Sequence, residues 1–392
     1  MELKEYSKSS REELVSLCKN RNIRGYSGKK KNEIIEMLLD VSEPEKIYRL
    51  NYIGSKFQLI NWIHLEIMNK TGFNSFENKI IGDLFAGTGI VSYHFRKHNS
   101  IIISNDAELY SSIITHAFTK SVYTDKCKEV INSLQRSISE NKHSEINGFI
   151  TNNYSPQGLN ERKFWNIENA RRIDYIRNEL FEMKENLSED EYLFILASLL
   201  ISADAVSNVP AVYGCFLKNF KSKATKNLVI TPIHNNTSLP NNNTTLNVDI
   251  LNIPFLRSFE YDFVYLDPPY NERQYSKNYF PLNIIAKSPE KLLSELPLKG
   301  KTGIPTDCFI SPFCKKGETV EKAFDLLFRE LKTKWIFLSY NSESIVSKDK
   351  MLEIMDKYGI SSVIERDYKR FKSFEYNRDI NIKEYLFCLK KN

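Results

Sequence analysis

Residues 263–270 read Phe-Val-Tyr-Leu-Asp-Pro-Pro-Tyr. The apolar run Phe263-Val264-Tyr265-Leu266 has the β-branched and aromatic character of a buried strand. A double proline stops it, because proline lacks the N–H that a ladder needs and fixes its own φ. In open α/β sheets, ligands bind outside the carboxyl ends of the strands. Asp267-Pro268-Pro269-Tyr270 therefore sets a carboxylate, a rigid carbonyl and an aromatic face on one rim. A Pro-Pro pair after a strand is also an ordinary turn, so the tetrapeptide gains its meaning from the rest of the chain.

Upstream, Ile80-Ile81-Gly82-Asp83-Leu84-Phe85-Ala86-Gly87-Thr88-Gly89 leads from a short apolar strand into a glycine-rich turn, and Ile90 to Lys97 suits a helix. Gly87 and Gly89 let the backbone turn tightly and approach a ligand with no Cβ in the way. The dinucleotide fingerprint is excluded, since no third glycine follows Gly89. The next apolar run, Ile101 to Ser104, closes in Asn105-Asp106. An acidic group at that place commonly accepts hydrogen bonds from ribose hydroxyls, and Asp106 is nearer the strand end than Glu108. Leu246-Asn247-Val248-Asp249 ends another short strand. A solvated carboxylate would look the same at either place. Before the glycine turn, Asn51-Tyr52-Ile53-Gly54-Ser55-Lys56 opens a helix with Leu59, Trp62, Ile63 and Ile67 at helical spacing. The free amides there, Ser55 and Lys56 can receive a carboxylate.

Taken together, these segments resemble the amino-group DNA methyltransferases, which carry (Asp/Asn/Ser)-Pro-Pro-(Tyr/Phe/Trp) at the rim and Asp-x-Phe-x-Gly-x-Gly in the glycine turn. The resemblance covers roughly residues 48–392. It implies a Rossmann-like α/β methyltransferase sheet and S-adenosyl-L-methionine (AdoMet) as cofactor. Asn51, Tyr52, Gly54, Ser55 and Lys56 would cradle its methionine end; Asp83, Phe85, Gly87 and Gly89 would form the loop beneath it; Asp106 would take the ribose and Asp249 the adenine. Asp where Asp267 stands is typical of enzymes that methylate the N6 of adenine. The order of segments, with a long insertion between Asp106 and Asp249, resembles the alpha-group (Dam-like) adenine-N6 enzymes.

The chemistry follows from the groups. The exocyclic amine of adenine is a poor nucleophile, since its lone pair is delocalised into the ring. Asp267 and the Pro268 carbonyl can accept its two hydrogens, localising the lone pair and aiming it for an in-line displacement. Tyr270 offers a face for an extruded base. Asn271 to Phe280 reads as a loop closing over that base. Neither a metal nor a covalent intermediate is required. The six histidines form no zinc-type pairing with cysteine, and His94 and His98, with helical i,i+4 spacing, read as exposed helix residues.

The chain divides into three parts on this reading: a small helical module over 1–41, a catalytic domain over 48–110 and 245–392, and an inserted, mostly helical target-recognition region over 111–244. In the first, Ser10 to Glu13 is a capping box, and two apolar stripes flank a Gly-containing turn. The second helix opens on Lys29-Lys30-Lys31, charges that oppose the helix dipole and suit phosphate. This layout resembles a SAP-type DNA-binding module; a charged surface hairpin would look similar. Val41 to Pro44 is the expected linker. In the insertion, Asn169 to Arg177 reads as a basic helix. Lys218, Lys221 and Lys223 alternate with aromatics, as suits contacts to a DNA backbone. Tyr368 to Phe374 is a second basic-aromatic stretch.

A net charge of +6 agrees with a nucleic-acid partner without requiring one. Six scattered cysteines, a charged start at Met1 to Glu5 and no membrane-length apolar run point to a cytoplasmic protein away from membranes. The expected function is site-specific adenine-N6 methylation of double-stranded DNA beside a cognate restriction endonuclease. The rivals are an N4-cytosine DNA methyltransferase, for which Ser is more usual at 267, an RNA or protein N-methyltransferase, and a non-enzymatic DNA-binding protein on a relic fold.

Overall fold

The computed structural model describes residues 6, 8–20, 23, 25–39, 47–238, 242–369 and 381–392. The expected linker at 41–44 and most of the stretch at 368–374 lie outside these residues.

Among the described residues nine strands follow in chain order: β1 Ile80–Asp83, β2 Ile101–Asn105, β3 Thr244–Leu246, β4 Glu260–Tyr261, β5 Phe263–Leu266, β6 Lys332–Thr333, β7 Trp335–Asn341, β8 Gly359–Lys369 and β9 Asn381–Lys391. Seven of them form one sheet in the order β3-β2-β1-β5-β7-β9-β8, while β4 and β6 pair with each other. The first five strands of that order run parallel, and β9 inserts antiparallel to both β7 and β8. The order reverses between β1 and β5. That point is where an open α/β sheet opens a ligand crevice. The fold is the Rossmann-like α/β arrangement expected.

Because the central parallel strands are covered on both faces, they read as apolar runs rather than alternating. All four residues of β5 are buried. Phe263 and Tyr265 turn to one face, where they meet Phe337 and the helices Ile60–Thr71 and Ile90–Arg96 through Ile63, Ile67 and Phe95. Val264 and Leu266 turn to the other, against the helices Glu318–Glu330 and Lys348–Met355 through Phe324, Leu327 and Met351. Leu59, Trp62, Ile63 and Ile67 are all buried, as their spacing predicted.

The insertion is helical, with helices at Leu109–Thr119, Asp125–Ser139, Phe149–Tyr154, Ile167–Glu182 and Glu189–Ala205. They share one core with the helix Tyr275–Ala286. A boundary at 110/111 runs through the helix Leu109–Thr119. Helix Ile167–Glu182 is not a basic surface: Arg172 and Arg177 are buried, and Arg177 donates to the carbonyls of Ile285 and Lys287. Alternate charges on an amphipathic helix cannot all face water when two of its sides are packed.

At the amino end, the helices Arg11–Asn20 and Lys31–Leu39 pack through Leu14, Cys18, Ile34, Ile35 and Leu38 onto Leu65 of the helix Ile60–Thr71. Both hydrogen bonds of the Ser10/Glu13 capping box form. Among the described residues no helix is long and apolar enough to cross a membrane.

Candidate active site

One cavity of about 1190 Å³ opens at the switch point between β1 and β5. Asp267, Pro268, Pro269 and Tyr270 line it, as do Asn51, Tyr52, Gly54, Ser55, Lys56, Phe85, Gly87, Asp106 and Asp249. Asp83 lines a small recess beside it. Of the sequence-derived cofactor candidates, Gly89 alone stays off both walls; it lies under the turn.

The turn is shaped by left-handed backbone. Gly87 has φ +54°, and a Cβ there would stand 3.2 Å from the Tyr52 ring. Gly89 has φ +72°, and a Cβ would meet the Thr115 backbone at 2.9 Å. The Gly87 amide donates to Asp106 Oδ2 (2.8 Å), and the Glu108 amide donates to Asp106 Oδ1 (2.9 Å). Asp106 thus fixes the turn from the end of β2. Asp249 is exposed on the loop after β3, where its Oδ1 accepts from the Leu251 amide at 3.0 Å.

Lys56 does more than add charge to the rim. Its side chain is 4% exposed, and its ammonium stands 2.8 Å from Asp267 Oδ1 and 3.8 Å from Glu384 Oε1 and donates to the Gly54 carbonyl at 2.8 Å. Glu384, on β9, accepts from the Tyr270 hydroxyl at 2.8 Å. Burial pushes the Asp267 carboxyl up from its ordinary value, and the Lys56 ammonium pulls against that rise. Burial raises Glu384 as well, again opposed by Lys56. The Tyr270 ring packs edge-to-face with Tyr340 and lies 4.9 Å below the Lys56 ammonium. Asp83 is buried; its Oδ2 accepts from the Ser92 amide and hydroxyl at 3.0 and 2.6 Å, while its Oδ1 has no partner. Desolvation raises its pKa to about 7.

Residues 52–354 match the D12 class N6 adenine-specific DNA methyltransferase family. The chain belongs to that family. It is 38% identical over 342 residues to the Type II methyltransferase M.CviAII of Paramecium bursaria Chlorella virus 1, covering 86% of this chain and 98% of that one. To the Type II methyltransferase M.NlaIII of Neisseria lactamica it is 35% identical over 348 residues, 87% of this chain and 99% of that one. To the Type II methyltransferase M.FokI of Planomicrobium okeanokoites it is 30% identical, covering 88% of this chain and 53% of that one. This D12 methyltransferase transfers a methyl group from AdoMet to the N6 of adenine in DNA.

The residues of the D12 chain fit that cofactor. A glycine cradle without Cβ atoms, an orphaned buried acceptor on Asp83 and a carboxylate closing β2 surround a cavity larger than a single drug-sized ligand requires, about 300–1,000 Å³.

The structure adds residues that the sequence did not single out. Glu384 is one; it sits in a strand whose pattern marks it only as a polar position. Tyr275 and Tyr279 are others. The Tyr279 ring stacks on Tyr52 at 4.8 Å, and its hydroxyl accepts from the Ile53 amide at 3.0 Å. Residues 271–280 are not one closing loop: Asn271 to Gln274 line the cavity, and from Tyr275 the chain is helical. Buried Ser276, Tyr279 and Phe280 at helical spacing dictate that start. Asp204 accepts from the Asn51 amide at 3.1 Å and so anchors the same segment from the insertion.

The lysines separate. Lys218, Lys29 and Lys30 are exposed. Lys221 donates to the Val209 carbonyl, and Lys223, which lines the cavity, donates to the Asp204 carbonyl at 3.3 Å. Lys29 pairs with Glu33 at 3.0 Å.

Proposed function

We propose that this chain is an alpha-group (Dam-like), site-specific modification enzyme acting on double-stranded DNA in the cytoplasm, alongside a cognate restriction endonuclease. The observation that carries the reading is the Asp267 carboxylate held by Lys56 at the switch-point cavity. The names of its full-length relatives, both Type II methyltransferases, support the restriction-modification setting. The order of cofactor segment, glycine turn, helical insertion and Asp-Pro-Pro-Tyr supports the alpha grouping. In this reading residues 48–110 and 245–392 form the catalytic domain, 111–244 the recognition region and 1–41 the SAP-like module.

AdoMet, when bound, supplies an electrophilic methyl group. The chain supplies the rest. Asp267 and the Pro268 carbonyl accept the two amino hydrogens of an extruded adenine, so that its nitrogen lone pair points at the methyl. Lys56 keeps Asp267 ionised, and therefore an acceptor, against the burial that would protonate it. Tyr270 presents a face to the base, held in place by Glu384, and Pro269 stiffens the turn between them. Asn51, Tyr52, Gly54, Ser55, Asp83, Phe85, Gly87, Gly89, Asp106 and Asp249 bind the cofactor. Lys29, Lys30, Lys31, Lys218, Lys221 and Lys223 face DNA phosphates, the last two after leaving the carbonyls they hold here.

The test is transfer from labelled AdoMet to unmethylated DNA, with the modified nucleoside identified, beside Asp267→Ala. N6-methyladenine that disappears in a variant still binding AdoMet supports the assignment. Undiminished N6-methyladenine from Asp267→Ala removes Asp267 from the mechanism.

A further inference from the structure

A second cluster of chemistry-bearing side chains lies off the cavity. His64 sits in the helix Ile60–Thr71, His94 near the end of the helix Ile90–Arg96, and His98 four residues further on. None of the three lines the cavity. Rather than projecting from a helix as exposed residues, they meet: one donor nitrogen of each ring falls within 4.8 Å of the others. His64 Nδ1 and His94 Nε2 are 2.8 Å apart. The ring centroids of His98 lie 4.6 Å from His64 and 4.8 Å from His94. Phe76 and Phe95 pack against the cluster and fix the rings from the core side. His64 is 3% exposed, whereas His94 and His98 are half-buried and reachable from solvent.

A histidine kept for packing normally has its nitrogens satisfied by a carboxylate or carbonyl. Here, among the described residues, no carboxylate lies within ion-pair distance of the three rings, and the His64–His94 contact is the one hydrogen bond any of them makes. Three imidazoles with converging lone pairs and no anionic partner are a donor set for a transition metal. His94 on the last turn of its helix and His98 in the turn that follows it bring two of these donors together from one short stretch of chain.

We propose that His64, His94 and His98 bind one transition-metal dication of the zinc class through their imidazole nitrogens, with water in the fourth position. Zinc holds histidine nitrogens at about 2.0–2.1 Å, which sets tetrahedral neighbours about 3.3 Å apart. Small ring rotations reach that geometry, opening the His64–His94 pair and closing the others. The ion would staple the helix that follows Asn51–Lys56 to the helix that follows the glycine turn, joining two segments of the cavity wall from behind. It takes no part in methyl transfer.

The test uses the full chain, free of any affinity tag and treated with chelator, titrated with zinc chloride and separately with cobalt chloride. Bound metal is measured after dialysis, cobalt coordination by visible absorption, and Tm by calorimetry. The expected result is one zinc per chain, the absorption of a four-coordinate cobalt site, and a Tm higher by several degrees with metal. His98→Ala, at a half-exposed position, and His94→Gln should each weaken zinc at least tenfold while circular dichroism stays native. Absence of bound zinc in the parent protein overturns the proposal. So does undiminished binding in both variants, which would place the metal at another site.

Discussion

The Lys56 ammonium stands 2.8 Å from Asp267 Oδ1, and Glu384 Oε1 lies 3.8 Å from the same ammonium. One buried cation thus serves two carboxylates, whose titrations are coupled. Burial raises Asp267 and Lys56 lowers it. Since the reaction needs the carboxylate, activity should fall on the acid side as Asp267 protonates. Lys56→Met removes an opposite charge worth about 1–3 pH units at this separation. The acid limb of kcat/KM for methyl transfer should move up by about that amount. Glu384→Gln removes a like charge that Asp267 repels, so it should move the limb down. Limbs that coincide in all three proteins would show that Asp267 does not set the profile.

The glycine turn yields a prediction about binding alone. At Gly87, with φ +54° and the Tyr52 ring 3.2 Å from any Cβ, alanine brings both backbone strain and a collision. Left-handed backbone costs an L-residue about 1–2 kcal/mol. Relief by moving Tyr52 would disturb its stack on Tyr279. Gly87→Ala should therefore weaken AdoMet at least tenfold in calorimetric titration, with DNA affinity unchanged. Equal AdoMet affinity in variant and parent would place the cofactor elsewhere.

Asp83 links the site to stability. Its folded pKa is about 7 against an ordinary 3.8, chiefly through desolvation. A carboxyl raised on folding favours the folded state while protonated. That contribution is complete below about pH 4 and is lost as pH rises to about 7. The two values differ by on the order of 4 kcal/mol. In Asp83→Asn the loss cannot occur, so its urea midpoint should change less between those pH values than the parent's. Parallel curves would mean that Asp83 ionises no harder when folded than when unfolded.

What the sequence disclosed was whatever the backbone imposes locally. The apolar run before Pro268 can only be a covered strand, and the paired glycines can only be a turn, so β5, β1 and the cavity rim were readable from spacing. Tertiary pairing was not. Nothing local tells that Lys56 reaches Asp267, 211 positions away, rather than facing solvent, or that Glu384 holds the Tyr270 hydroxyl. Arg172 and Arg177 misled for the same reason: charge density along a helix does not say which side is packed. The histidines are the sharpest case. His94 and His98 carried the spacing, but their third partner is His64, on a helix that only the folded sheet brings alongside.

The amino-terminal module permits a graded test of DNA contact. Lys30 is exposed, whereas the ammonium of Lys29 is paired with Glu33 at 3.0 Å. If the start of the helix Lys31–Leu39 faces phosphate, Lys30→Gln removes one counterion-releasing charge. The slope of log K against log salt should then flatten by about 0.9 for each phosphate no longer neutralised. Affinity should fall equally for any sequence, because phosphate contacts carry no base information. Lys29→Gln should do less, since Glu33 already neutralises much of that charge. Fluorescence anisotropy over a salt series, on DNA with and without methylatable sites, would measure both. A slope unchanged in Lys30→Gln would leave the module as a structural hairpin packed on Leu65.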